Sequence, residues 1–178
     1  AACGSKKEEA KKIESADDLK DAKIGGQTGT TGDIYCSDDF GDDHVERFNK
    51  GADAVQALVK GKINAVVIDF KDDRGRITCP VDSATVNEID ACQVYIEDMP
   101  GLIKKLKDHG IYTIARVVAF RDPYLAEKRP EWCLKLSDGK VFRDKQGLAW
   151  INPYKQEVWD YLVEVGEMAA ECGLDEVQ

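Results

Sequence analysis

Apolar residues along the chain alternate between short continuous runs and stripes spaced by three or four positions. The runs predict strands, and the stripes, each followed by a glycine, predict helices. Alternating strands and helices are typical of repeated βα units. We therefore expect an α/β fold with a mostly parallel, open sheet of about five strands and helices on both faces. The predicted strands are 23–27, 44–48, 63–70, 111–119 and 174–178, and the predicted helices are 52–60, 98–109 and 155–172.

Two long stretches, 71–97 and 120–152, carry neither pattern. Connections of this length in a compact domain are more often functional than incidental. Within the second stretch, residues 133–142 predict a small hairpin that turns at Asp-Gly. Because loops after parallel strands hold the sites of such folds, we expect functional groups in these two stretches.

The first residues of the chain have a different composition. Residues 4–15 have almost no large apolar side chains, so residues 1–15 are predicted to be a flexible tether ahead of one α/β domain over 16–178. Cys3 follows two alanines and precedes Gly-Ser, which resembles the end of a bacterial lipobox. The resemblance implies a lipid on Cys3 and a location outside the cytoplasm, on a bacterial cell surface.

The charge of the chain narrows the possible partners. The 178 residues include 25 Lys and Arg against 34 Asp and Glu, a net charge of −9, which argues against nucleic-acid binding. No apolar run approaches the roughly 20 residues of a membrane span, so membrane contact is expected only through the lipid. An open sheet also leaves edge strands that could pair with a second copy of the chain.

The cysteines do not suggest a metal site. No two of the six are closer than 13 residues, so neither a zinc knuckle nor a CxxC motif is present. We expect most of them to be small buried hydrophobic residues, and we predict no metal and no cofactor.

The first candidate site is the turn Gln-Thr-Gly-Thr-Thr-Gly-Asp at 27–33, between a strand and a short helix. Glycines and small hydroxyl residues there would expose backbone N–H groups that suit a carboxylate. The alternative is a tight turn with a threonine cap and no ligand.

This turn is part of a resemblance that covers residues 13–69. With the segments 51–58 and 61–69, it resembles the second lobe of polar amino-acid-binding proteins of ABC importers. The resemblance implies that the turn holds the carboxylate of an amino acid and that an aspartate binds its ammonium group. The residues in question are Thr28, Thr30, Thr31 and Asp69.

The second candidate site is the charged segment 69–76, directly after the strongest strand. Ionisable groups there would stand in the crevice where α/β folds bind ligands. The alternative is a solvated turn with local ion pairs. The candidates are Asp69, Lys71, Asp72 and Asp73.

Arg116 lies inside an apolar strand. An unpaired charge would be costly there, so Arg116 needs an acidic partner or an anionic ligand. The candidate partners are Asp69 and Asp175.

The second half of the chain carries a longer resemblance, over residues 63–178. It resembles the opening of a bacterial family of glycoside hydrolases with a (β/α)₈ barrel, in the segments 64–76, 103–116, 120–132, 143–154, 157–161 and 169–178. The resemblance implies a sugar ligand at the charged segment and at Arg116. Asp69 and Asp72 become the candidate catalytic carboxylates, and Lys71, Asp73, Arg116 and Trp150 the candidate binding residues.

Two further expectations concern the length of chain that a barrel needs and the positions of two tryptophans. A closed barrel takes about 250 residues and eight strands, whereas this half has three, so we expect the second half of the barrel to be absent and leave catalysis open. Trp150, in a polar loop, is the best candidate for stacking on a sugar ring, and Trp159, inside a helix, is expected in the core.

Residues 64–69 occur in both resemblances, which predicts a mosaic joined at one strand. Three functions stay open. The chain is an extracytoplasmic lipoprotein that binds or hydrolyses carbohydrate, an amino-acid-binding module of an ABC importer, or a folded mosaic without activity. In the first two, the partner is a small molecule.

Overall fold

The computed structural model describes residues 13, 15–29, 31–49 and 51–178. Cys3 and residues 1–12 of the predicted tether lie outside these ranges, so the lipid anchor and the tether stay predictions. Within the described ranges, no helix has both the length and the apolar character needed to cross a membrane.

The strands form one parallel sheet with the order β2-β1-β3-β4-β5, which confirms the predicted α/β fold with five strands. β3, the longest strand, is the central one. The observed ends differ from the predicted ends by at most two residues. The strands are β1 (Ile24–Gln27), β2 (Val45–Phe48), β3 (Ala65–Lys71), β4 (Tyr112–Val117) and β5 (Glu176–Val177).

The three predicted long helices are confirmed, and three further helices join them. Two of these, α3 and α5, lie in the long connections and are too short to show an apolar stripe. Their start signals are nevertheless present, because Ser83 and Asp122 accept hydrogen bonds from the backbone N–H three residues later. The helices are α1 (Thr31–Phe40), α2 (Gly51–Val59), α3 (Ala84–Glu88), α4 (Met99–Asp108), α5 (Pro123–Lys128) and α6 (Gln156–Glu171).

The structure also decides two smaller predictions. The hairpin is confirmed: Lys135 pairs with Val141, and the chain turns at Asp138 and Gly139. The prediction for Trp159 is wrong, because its side chain is exposed and its indole N–H donates to Pro153 O at 2.5 Å. The buried stripe of α6 runs along Val158, Tyr161, Val165, Met168 and Ala169, and Trp159 lies beside it.

The chain divides into two compact units. The first ends at Val67 and also contains Leu106–Tyr112, and the second consists of Ile68–Lys105 and Thr113–Gln178. In the first, the buried residues include Leu19, Ile24, Ile63 and Ala65. In the second, they include Phe70, Ile77, Ile114, Leu125, Ile151, Val158 and Tyr161. Among the described cysteines, Cys36, Cys79 and Cys133 are buried, and Cys92 and Cys172 are half-buried.

The second unit contains a fully buried ion pair. Lys71 at the end of β3 and Asp122 at the start of α5 have no solvent exposure, and Lys71 Nζ lies 2.9 Å from Asp122 Oδ2. This is an ionic contact rather than a directed hydrogen bond. Lys71 Nζ also donates to Val118 O at 2.6 Å, and Asp122 Oδ1 accepts from Leu125 N at 2.7 Å. The pair therefore ties the end of β3 to the segment that follows β4.

We predict that removing one partner of this pair is severely destabilising. Lys71→Met leaves a buried carboxylate without a counter-charge and should lower the free energy of unfolding by about 3–5 kcal/mol. Adding Asp122→Asn to Lys71→Met should recover part of that loss, since the buried charge is then gone while the cap of α5 is kept. Urea unfolding of both single variants and the double variant measures this, and additive losses would contradict it.

Gly75 lets the chain approach this pair closely. Its φ is +85°, and a Cβ at this position would overlap the carboxylate of Asp122. Gly147 has a similar φ of +79° with open space around it, which makes it a matched control.

We predict that Gly75→Ala costs about 1–3 kcal/mol more stability than Gly147→Ala. Both variants carry left-handed backbone strain, but only the first also forces a side chain into an occupied position. Thermal and urea unfolding of the two variants test this difference. Equal losses would show that the carboxylate moves aside without cost.

Candidate functional site

A tight turn follows β3 and is closed by Asp72. The Asp72 Oδ1 atom accepts hydrogen bonds from Arg74 N and Arg76 N, both at 2.9 Å. The backbone pairs across the turn through Asp72 N and Arg76 O at 2.9 Å. Gly75 N donates to Asp72 O at 3.1 Å. These contacts explain the local sequence: an aspartate closes the turn, and a glycine takes its left-handed position.

Arg116 binds two carboxylates that come from β3 and from the turn after it. Its Nη1 atom donates to Asp69 Oδ1 at 2.6 Å, and its Nη2 atom donates to Asp73 Oδ1 at 2.9 Å. Arg121 Nη2 donates to the same Asp73 oxygen at 2.5 Å. We call these four residues the Arg116 network.

The arginine at the centre of the network is shielded from solvent, whereas its two aspartates are exposed to it. The side chain of Arg116 is 11% exposed, whereas those of Asp69 and Asp73 are 51% and 42% exposed. Solvent thus reaches the carboxylates but hardly reaches the guanidinium group that holds them. Asp175, the other predicted partner of Arg116, instead accepts hydrogen bonds from Thr113 N and Thr113 Oγ1.

The network keeps Asp73 and Arg116 ionised. Burial by itself would raise the pKa of the Asp73 carboxyl, but hydrogen bonds and charges from Arg116 and Arg121 outweigh it and hold that pKa below 3.8. For Arg116, burial opposes the charge, yet its bonds to Asp69 and Asp73 raise its pKa above the ordinary value. Asp73 is therefore a carboxylate at neutral pH and a poor proton donor.

The other residues predicted for the second site have different surroundings. Lys71 is fully buried and paired with Asp122, and Asp72 is half-buried and closes the turn through its Oδ1 atom. Trp150 is half-buried, pairs with Arg121 through the backbone, and donates its indole N–H to Asp144 Oδ2 at 3.1 Å. The predicted catalytic roles of Asp69 and Asp72, and the binding roles of Lys71 and Trp150, stay predictions.

The threonine turn belongs to the first unit. Thr28 N donates to a carbonyl of β2 at 3.0 Å, and Gly29 N donates to Asp33 Oδ2 at 2.8 Å. Both N–H groups are thus bonded within the protein. Thr31 begins α1, and Thr30 lies outside the described residues. The binding of an amino-acid carboxylate by this turn stays a prediction.

Several residues of the site were missed by sequence reasoning. Arg121 and Asp122 lie in a connection without periodicity, where only the Asp-Pro helix start was a usable signal. A cavity of about 610 Å³ lies beside Asp73 and Arg121. Its further lining includes Arg74, Arg76, Gln93, Pro123, Tyr124 and Leu148. Within the described ranges, no three His, Cys, Asp or Glu side chains come together as a set of metal ligands.

A parallel sheet with ionised groups after its strands is the arrangement of barrel-type α/β domains. A protein-family model described as "Putative glycosyl hydrolase domain" matches residues 42–178. The chain belongs to this family, which confirms the glycoside hydrolase resemblance. The resemblance of residues 13–69 to ABC-importer binding proteins stays a prediction.

Solved structures show the same fold. A hypothetical protein from Ruminiclostridium thermocellum is 35% identical over 71% of this chain and 68% of that one, with a TM-score of 0.66. An α-galactosidase from Thermus thermophilus in complex with stachyose is 15% identical over 88% of this chain and 31% of that one, with a TM-score of 0.52. The Flavobacterium johnsoniae chitobiase is 16% identical over 68% of this chain and 19% of that one, also with a TM-score of 0.52. A comparison with curated proteins found no match.

We predict that the contribution of Asp73 to stability disappears in acid. Because its pKa is lowered on folding, its contribution is present above about pH 4 and is lost as the pH falls through the folded-state value. Asp73→Asn should cost about 1 kcal/mol at pH 7, after allowance for solvent screening, and nothing near pH 2.

Urea unfolding from pH 2 to pH 8 measures the difference between the native chain and Asp73→Asn. Asp53→Asn, at an exposed position of α2, is the control for a general change in net charge. If the stability lost through Asp73→Asn grows as the pH falls, the stabilising ion pair assigned to Asp73 is contradicted.

Proposed function

We propose that this chain binds carbohydrate as part of a glycoside hydrolase. The supporting observation is the Arg116 network, in which two half-exposed carboxylates are held where β3 and β4 end. In barrel enzymes, the carboxyl ends of the strands carry the groups that contact the substrate. Membership of the glycosyl hydrolase family supports the same conclusion.

The chemistry of the network favours particular roles. Glycoside hydrolysis uses one carboxylic acid that donates a proton and one carboxylate that acts as base or nucleophile. Asp73 stays ionised, so it suits the second role or the acceptance of hydrogen bonds from sugar hydroxyls. Asp69, bound to the same arginine, is equally placed to accept hydrogen bonds. We therefore assign sugar binding to Asp69 and Asp73 and give the role of proton donor to a group other than Asp73.

The neighbouring folds support carbohydrate as the ligand class. One is an α-galactosidase solved with stachyose, and another is a chitobiase. This chain spans 31% and 19% of those proteins, so their activities are a guide to the choice of test compounds.

We predict that Asp69→Asn weakens sugar binding at least tenfold. The substitution keeps the shape of the side chain but removes the charge that accepts hydrogen bonds from Arg116 and from a sugar. Calorimetry with neutral and acidic oligosaccharides, including galactosides and chitin oligomers, measures the affinity. Chromatography of the same mixtures detects hydrolysis.

Asp138→Asn is the matched control, since Asp138 lies in the hairpin and pairs with Lys140. It should bind sugar like the native chain. The proposal fails if the native chain binds no sugar in the panel, or if the two variants behave alike. Binding of polar amino acids without any sugar would favour the amino-acid-binding alternative.

A further inference from the structure

We propose that the cavity beside Asp73 recognises the negatively charged group of an acidic sugar, a carboxylate or a sulfate. This inference rests on the proposed function and names the class of sugar within it.

The cavity has the size of a ligand site. Its volume of about 610 Å³ is within the range of small-molecule pockets, roughly 300–1,000 Å³. All of its lining residues belong to the second unit. It adjoins the Arg116 network through Asp73 and Arg121, so a sugar bound to the network has a place for its substituents there.

The charge of the cavity is opposite to that of the chain. The lining contains three arginines, Arg74, Arg76 and Arg121, against two acidic residues, Asp73 and Glu127. The whole chain carries a net charge of −9. A positive lining in an acidic protein would attract anions locally, while the rest of the surface repels them.

Within the described part of the chain, two of the three arginines have no ion pair. Arg121 is bound to Asp73, but neither Arg74 nor Arg76 has an ion pair with any of the residues that the structure describes. Both lie in the turn closed by Asp72, so their backbone is held in place. Among the residues that the structure describes, the cavity thus presents two guanidinium groups outside any ion pair, both from one hydrogen-bonded turn.

Arg76 is also oriented at its head group. Its guanidinium carbon lies 3.6 Å from the centre of the Tyr124 ring, and its Nη1 atom donates to Asp90 O at 2.8 Å. A stacked guanidinium is restricted in rotation and presents its remaining N–H groups in a fixed plane. Such a fork matches the two oxygens of a carboxylate or sulfate.

The uncharged residues of the cavity lining suit the hydroxyl groups and the ring of a sugar. Gln93 and Gln146 offer amide groups to hydroxyls, and Pro123 and Leu148 offer apolar contact to ring C–H groups. A neutral sugar would use these contacts but would bring no counter-charge to either arginine. An acidic sugar uses all of them, and its recognition should weaken as salt is added.

Calorimetry on the full chain tests this with three sugars of matched length: an oligogalacturonide, a galactose 6-sulfate oligomer and a neutral galactose oligomer. We expect at least a tenfold preference for one of the acidic sugars over the neutral one. We expect the double variant Arg74→Gln/Arg76→Gln to lose that preference while it keeps the affinity for the neutral sugar. The acidic sugar that the native chain prefers over the neutral one identifies the anionic group as a carboxylate or a sulfate.

Arg129→Gln is the control, because Arg129 lies outside the cavity and pairs with Glu88. It should keep the preference. Arg74→Gln alone, at an exposed turn position, should lower the preference several-fold without loss of folding, as judged by the thermal midpoint.

Equal affinity for neutral and acidic sugars would overturn the inference and leave the proposed function standing. A preference that survives in the double variant would overturn the assignment to this cavity. Absence of binding to all three sugars would overturn the inference, and the proposed function would fall with it only if the wider panel of galactosides and chitin oligomers also showed no binding.

Discussion

The buried ion pair between Lys71 and Asp122 is the constraint on which the arrangement of the second unit depends. Charges without access to water are tolerated only where their partners are fixed. Lys71 ends β3 and Asp122 starts α5, so the pair holds together two segments that are far apart in sequence. The turn closed by Asp72 begins directly after Lys71, and Arg121 directly precedes Asp122, so the ion pair fixes the chain beside both. Gly75 is required because the turn passes so close to Asp122.

The Arg116 network also matches basic groups with aspartates, but its exposure to solvent is different. Asp69 and Asp73 are half-exposed, whereas Lys71 and Asp122 are dry. Solvent competes for the exposed carboxylates, so a ligand can do so as well. Exposure, rather than residue type, thus separates the charges that build the fold from those available to a substrate.

Much of the fold could be predicted because its signals are local. Strands β3 and β4 each follow from an apolar run, and α2, α4 and α6 each follow from a stripe that ends at a glycine. The failures have local causes too. Helices α3 and α5 are shorter than two turns and have no period to detect, and Trp159 lies next to the buried stripe of α6 rather than within it.

The order of elements, the α/β class and the need of Arg116 for an acidic partner or an anionic ligand can be predicted from the sequence, because each depends on neighbouring residues in the chain. The partners of Arg116, the burial of Lys71 and the position of Arg74 and Arg76 in a cavity lining emerge only once the chain is folded. Arg116 and Arg121 meet Asp73 across 43 and 48 positions. Contacts over such separations are set by how the strands pack in the sheet, and no local pattern of residues records them.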